Sequence, residues 1–233
     1  MKPMDHPVKR IPLIPLVAIG LLPAAQTGVS VYWEWHTAIT YPAFKVLMIA
    51  APIVAWLWAR RSGREVRDLV GLKRVNFPIA LTVGALMSAV ILTGYYLILR
   101  PALDPAPILA KVRSLGVLKH YWVMAGFISL WHSLFEEYFW RGFIIGELRG
   151  WISRGWVTCV VGGAVFGIHH IFALGALFDW PVVALATLGT MIAGTVWSYM
   201  RVRGYSIWDC YISHVLADIS IMWIGYDLIT RAQ

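Results

Sequence analysis

The run FPIALTVGALMSAVILTGYYLIL, residues 77–99, carries no charged side chain over 23 positions, and its reading decides the fold class. A helix rises about 1.5 Å per residue and a bilayer's hydrocarbon core is about 30 Å thick, so roughly 20 apolar residues cross it. Outward from this run, further blocks lie at approximately 11–33, 38–59, 120–147, 156–178, 181–200 and 206–229. In these blocks the apolar residues form solid stretches instead of periodic stripes. Over the whole chain 59% of the 233 residues are hydrophobic and 14% are charged, which excludes an ordinary soluble fold. The expectation is an all-α polytopic membrane helix bundle with about seven to eight transmembrane helices. No internal repeat or low-complexity linker divides it, so residues 1–233 read as one integral membrane domain.

The net charge of +8 is distributed by loop. The N-terminus and the loops after the second, fourth and sixth blocks hold 13 Lys and Arg, against 5 in the remaining loops and the C-terminus. By the positive-inside rule the N-terminus and RRSGREVRDLVGLKR, residues 60–74, are cytoplasmic. That basic stretch reads as a topology anchor on anionic lipid, and no nucleic-acid partner is expected. The outer loop 100–119 still holds Arg100, Lys111, Arg113 and Lys119, which a short interfacial helix at 107–118 explains. The first block follows Lys2, Lys9 and Arg10, but its apolar run outlasts a signal-peptide core and is expected to stay as the first helix. Cys159 and Cys210 both sit in apolar blocks, giving neither a disulfide framework nor a cysteine metal site. Trp33, Trp35, Trp58, Trp151 and Trp156 near block ends read as interfacial anchors, and Lys45 as a side chain that snorkels to the interface.

An ionisable residue at membrane depth costs several kcal/mol unless paired or hydrated, so each one is a functional-site hypothesis. The last four blocks hold His132, Glu136, Glu137, Arg141, His169, His170, Asp209, His214 and Asp218, with Asp227 near an end. Residues four apart share a helix face, so Glu137 can pair with Arg141 and His132 can meet Glu136. Adjacent Glu136 and Glu137 diverge by about 100°, which suggests different tasks. Counted at about 1.5 Å per residue from the cytoplasmic ends, Glu136, His170 and His214 fall at overlapping depths and can share a site. Gly142-x-x-x-Gly146 and Gly163-x-x-x-Gly167 are expected to let the fourth and fifth blocks approach closely. His132 reads as a cavity-edge or hydrogen-bonding residue, and Asp209 and Asp227 as solvated or capping residues.

FEEYFWRGF at 135–143 resembles the EExxxR motif of the CAAX protease and bacteriocin-processing family, also called the type II CAAX prenyl endopeptidase or Abi family. FGIHH at 166–170 is similar to its second motif, FxxxH, and HVLAD at 214–218 to its third, a histidine followed four residues later by Asn or Asp. The likeness covers about residues 120–220, a catalytic core following the N-terminal helices of 1–119. It implies intramembrane peptide-bond hydrolysis, with Glu136 and His170 activating water and Glu137 with Arg141 setting local geometry and charge. It further implies that His214 and Asp218 face the scissile carbonyl. The FxxxH register favours His170 over His169. Asp218 departs from the asparagine of the prenyl-processing branch; an ionised aspartate cannot donate a hydrogen bond, so it must be protonated, orient His214 or bind a cation.

The resemblance favours a metal-free glutamate mechanism with no cofactor. Catalytic zinc is the alternative, because Glu136, His170, His214 and His132 are suitable ligand types. The expected substrate is a membrane-anchored protein or peptide, and the expected location a multi-pass position in the plasma membrane with a cytoplasmic N-terminus. Two other functions remain: a non-catalytic bacteriocin-immunity or binding protein of the same fold, and a proton-coupled transporter, since buried Glu and His chains also relay protons.

Overall fold

The structure is a computed structural model that describes residues 9–233, so Lys2 of the basic start lies outside the described residues. The described residues form nine helices and no strand: α1 Leu13–Tyr32, α2 Thr37–Trp58, α3 Gly63–Val70, α4 Phe77–Leu99, α5 Ala106–Ser114, α6 over 121–148, α7 Gly155–Gly175, α8 Trp180–Val202 and α9 Ile207–Arg231. Six of them, α1, α2, α4, α7, α8 and α9, are long and apolar enough to cross a bilayer, and the chain is a multi-pass membrane protein. The seventh expected block is α6. It is continuous in helical sense, but Ile128–His132 and Glu137–Ile144 are wound as π-helix. Such stretches widen the turn and concentrate at functional sites. A short helix, α5, forms in the loop where one was expected at 107–118, and its Lys111 pairs with Glu34.

Helix starts follow from local chemistry. Ser62 and Glu65 form a capping box on α3, the Glu65 carboxylate accepting from the Ser62 N–H at 2.6 Å and from its hydroxyl at 2.8 Å. Those bonds, led by the backbone N–H, hold the Glu65 carboxyl below the usual carboxylate range. Ser206 and Asp209 form a second capping box, at the start of α9. Asp209 also accepts from the Asn76 N–H at 2.6 Å, tying the start of α4 to the start of α9 and giving this aspartate its expected capping role. Asp227 differs from expectation. It accepts from Tyr95 at 2.5 Å and pairs with Arg100 at 2.9 Å.

The closest helix pair is α7 on α8, and here the glycines act differently from their expected role. A Cβ on Gly163 would lie 2.5 Å from the Met191 carbonyl oxygen, and one on Gly194 would lie 3.1 Å from Gly163 Cα. Gly163 and Gly167 therefore seat α8, not α6. Gly142 lies against Val70 and Ile207, Gly146 against Leu69, and the glycine that admits α6 is Gly162, beneath Ile145. Small residues four apart mark a face open to close approach without naming the helix that fills it.

Two N-terminal elements are part of the same bundle. Thr27 of α1 donates to the His169 carbonyl of α7 at 3.0 Å, through a buried hydroxyl. The basic stretch 60–74 docks as well as bearing charge. Arg201 donates to the Leu69 carbonyl at 3.0 Å, and Ile207 N–H donates to the Gly71 carbonyl at 3.0 Å, where Gly71 adopts a φ of 77° that favours glycine. Cys159 and Cys210 are both free and buried, and the five anchor tryptophans near block ends are all exposed.

Candidate functional site

Four helices bring ionisable side chains to one place inside the bundle: α2, α6, α7 and α9. On α6 the four-residue spacings act as expected. His132 Nε2 lies 3.3 Å from Glu136 Oε1, and Arg141 Nη1 lies 3.1 Å from Glu137 Oε1. The two glutamates point apart, toward different partners, and both are buried, Glu136 at 5% exposure and Glu137 at 0%. The divergence is bridged by one ring. His214 of α9 sets Nδ1 2.8 Å from Glu137 Oε1 and Nε2 3.6 Å from Glu136 Oε2. A carboxylate only accepts, so Nδ1 carries a proton and Glu137 fixes the orientation of the ring. Trp197 stacks on that imidazole at 4.2 Å between centroids, and its indole N–H donates to Ser213 at 2.8 Å, which locks the stack.

The α7 contribution differs from the motif register. His169, not His170, reaches Glu136, with Nε2 3.1 Å from Oε1. It is buried and lies parallel to the Trp140 ring at 5.9 Å. His170 donates through Nδ1 to the Phe166 carbonyl of its own helix at 3.3 Å, and its ring lies 4.1 Å from that of His169. Phe166, the aromatic residue of FGIHH, is the packing centre beneath the site. Its ring contacts His169, His170, His214 and Trp197, and the Arg141 guanidinium sits 4.3 Å from its centroid.

Asp218, one turn beyond His214, places Oδ1 3.6 Å from His214 Nε2, and its Oδ2 accepts from Ser133 at 2.5 Å. Exposure rises on this side of the cluster, to 20% for the Asp218 side chain and 26% for His132. The cluster is thus least buried on the His132 and Asp218 side, while Glu137 and Arg141 close its back.

The sequence reading did not place two participants at this site. Ser133 sits four residues before Glu137, but its partner is on α9, which spacing within α6 cannot reveal. Lys45 of α2 does not snorkel outward. Its Nζ lies 3.2 Å from His132 Nδ1 and 5.3 Å from the Tyr41 ring centroid. An ammonium only donates, so the chain runs from Lys45 to His132 Nδ1, and from His132 Nε2 to Glu136. The signal that could have found it is the rule already applied to α6: a charge well inside a spanning block is a site candidate.

Among the described residues no group of three or more His, Cys, Asp or Glu is arranged to hold a metal ion. Three imidazole Nε2 atoms converge on the Glu136 carboxylate, those of His132 and His169 on Oε1 and that of His214 nearer Oε2. The arrangement is a buried carboxylate met by imidazoles from three helices, a charged back wall and one open side. That is suited to holding a water and moving its proton.

Residues 118–220 match the family model described as type II CAAX prenyl endopeptidase Rce1-like, and over that stretch the chain is similar to this protease family. The stretch contains Glu136, Glu137, Arg141, His169, His170, His214 and Asp218, and leaves Lys45 outside. No curated protein and no solved structure gives a significant match to the chain.

Proposed function

We propose that the protein is an intramembrane endopeptidase that hydrolyses a peptide bond of a membrane-tethered protein or peptide, in a plasma membrane with its N-terminus cytoplasmic. The observation that carries this is Glu136, 5% exposed, met at 3.1 to 3.6 Å by His132, His169 and His214 while the His132 and Asp218 side stays open. The similarity of residues 118–220 to a protease family supports the same reaction class. In this reading Glu136 takes a proton from water as the water oxygen bonds to the scissile carbonyl carbon, and then passes that proton to the leaving amine nitrogen. His214, held by Glu137, presents Nε2 toward the same space and donates to the developing oxyanion when protonated. Asp218 and Ser133 line the approach. Arg141 neutralises Glu137 and is a positioning residue.

The test compares membrane proteomes of matched cells expressing wild type or Glu136→Gln. A cleavage product of a membrane-anchored protein is expected with wild type and missing with the variant. If both proteins fold alike and no product differs, the chain is a binding or immunity protein. The mechanism uses no metal, so activity of purified protein is expected to persist after chelation with no zinc detectable by elemental analysis. Activity that falls with zinc removal and returns on its addition overturns the metal-free assignment.

His169 and His170 make opposite predictions. The geometry assigns the Glu136 contact to His169, so His169→Ala is expected to lower kcat/KM by about 10²-fold or more, the range for losing a group engaged with a general base. His170→Ala is expected to lose less than about tenfold. A reversed order, measured on the same cleavage product, returns the role to His170.

A further inference from the structure

The geometry points to a second site, at the basic end of the bundle, that binds a phosphate-type oxyanion. A cavity of about 460 Å³ lies where the start of the described chain, α3, the end of α6 and the end of α8 meet, and five arginines line it: Arg10, Arg61, Arg141, Arg149 and Arg201. The lining carboxylates are Glu65, Asp68 and Glu147, so positive charge exceeds negative. Two of the three are already engaged. Glu147 accepts from Arg61 at 2.9 Å and from the Trp56 indole at 3.1 Å, and Glu65 serves the α3 capping box.

The guanidinium groups are under-used. Arg61 Nε, Arg201 Nε and all three Arg141 nitrogens are buried with no hydrogen-bond acceptor, apart from the ion-pair contact of Arg141 Nη1 with Glu137. These are the guanidinium nitrogens in that condition among the described residues, and their three arginines all line this one cavity. Arg201, 4% exposed, donates to backbone carbonyls of Tyr205 and Leu69 and pairs with no carboxylate among the described residues. Arg10 and Arg149 are exposed at the rim and likewise form no salt bridge among the described residues.

Buried donors left without acceptors are costly, and a planar guanidinium fork matches the paired oxygens of a phosphate. The cavity volume falls in the range that encloses a small ligand or a headgroup. Its place beside α3, at the end of the bundle richest in Lys and Arg, brings it to the level of lipid phosphates. The shared chemistry is a phosphate oxyanion, carried by an anionic lipid headgroup or free in solution. This site lies behind the Glu136 cluster, sharing Arg141 with it, and does not depend on the protease reading.

The experiment follows thermal unfolding of the full chain in a neutral, phosphate-free detergent. Three additions are compared at matched ionic strength: inorganic phosphate, dioctanoyl phosphatidic acid and, as the tail control, dioctanoylglycerol. A saturable rise in Tm of about 3 °C or more is expected at about ten times the dissociation constant. The rise should be at least halved in the Arg10→Gln, Arg149→Gln double variant, whose changes are at exposed rim positions and leave the buried arginines in place. A rise with both phosphate compounds supports a site open to free phosphate, and a rise with phosphatidic acid alone supports a lipid-headgroup site. The proposal is overturned if neither compound shifts Tm, if dioctanoylglycerol matches phosphatidic acid, or if the double variant responds as wild type does.

Discussion

Glu136→Gln is expected to reduce peptide hydrolysis by about 10²- to 10⁴-fold, the contribution of a positioned general base, while leaving the fold in place. Glutamine has nearly the volume of glutamate, so the packing around a side chain of 5% exposure changes little. Its amide oxygen still accepts from His132 and His169, the contacts now at 3.3 and 3.1 Å, but its basicity is gone. The proton of the attacking water then has no acceptor of suitable strength. Folding is checked by a monodisperse size-exclusion profile and a Tm within a few degrees of wild type. Turnover is checked on the cleavage product found by the proteome comparison. Full activity in a folded Glu136→Gln protein moves the base elsewhere, Asp218 being the remaining acid on the open side of the cluster.

The parts of this arrangement that were legible in the sequence are those set by spacing along a single helix. The apolar run 77–99 became α4, Phe77–Leu99, because length and the absence of charge leave a bilayer span as the available solution. The four-residue rule paired His132 with Glu136 and Glu137 with Arg141, since those contacts form on one helix face whatever surrounds it. What depends on the rotation of one helix against another was not legible. His169 and His170 differ by about 100° around α7, and which of them turns to Glu136 depends on how α7 packs on its neighbours, α8 through Gly163 and Gly194 and α6 through Gly162. The π-helical winding of Glu137–Ile144 left no mark in the apolar pattern, although it sets the direction of the back wall. Lys45 was read by the general behaviour of lysines in spans. Its actual course depends on a histidine 87 residues away that offers an acceptor inside the bundle.

Arg141→Leu is expected to damage stability as much as activity, in contrast to Glu136→Gln. Glu137, at 0% exposure, would keep its charge with only His214 to answer it, and removing one member of a buried pair costs about 3–5 kcal/mol. For a chain of this size that corresponds to a Tm lower by about 6–10 °C. Part of the loss is packing, because the guanidinium also lies 4.3 Å from the Phe166 centroid and 4.8 Å from that of Trp197. Arg141→Lys keeps the charge but loses the planar fork and is expected to fall between wild type and Arg141→Leu. The decisive comparison is the double variant Glu137→Gln, Arg141→Leu. If the arginine chiefly neutralises the glutamate, removing both charges should recover part of the Tm lost by Arg141→Leu, a coupling above about 1 kcal/mol in the cycle. Activity should not recover with it, because His214 would lose the carboxylate that orients its ring toward Glu136. Recovery of both would make the pair dispensable to the reaction, and recovery of neither would put the energetic weight of Arg141 on its two aromatic contacts and on the basic cavity it also lines.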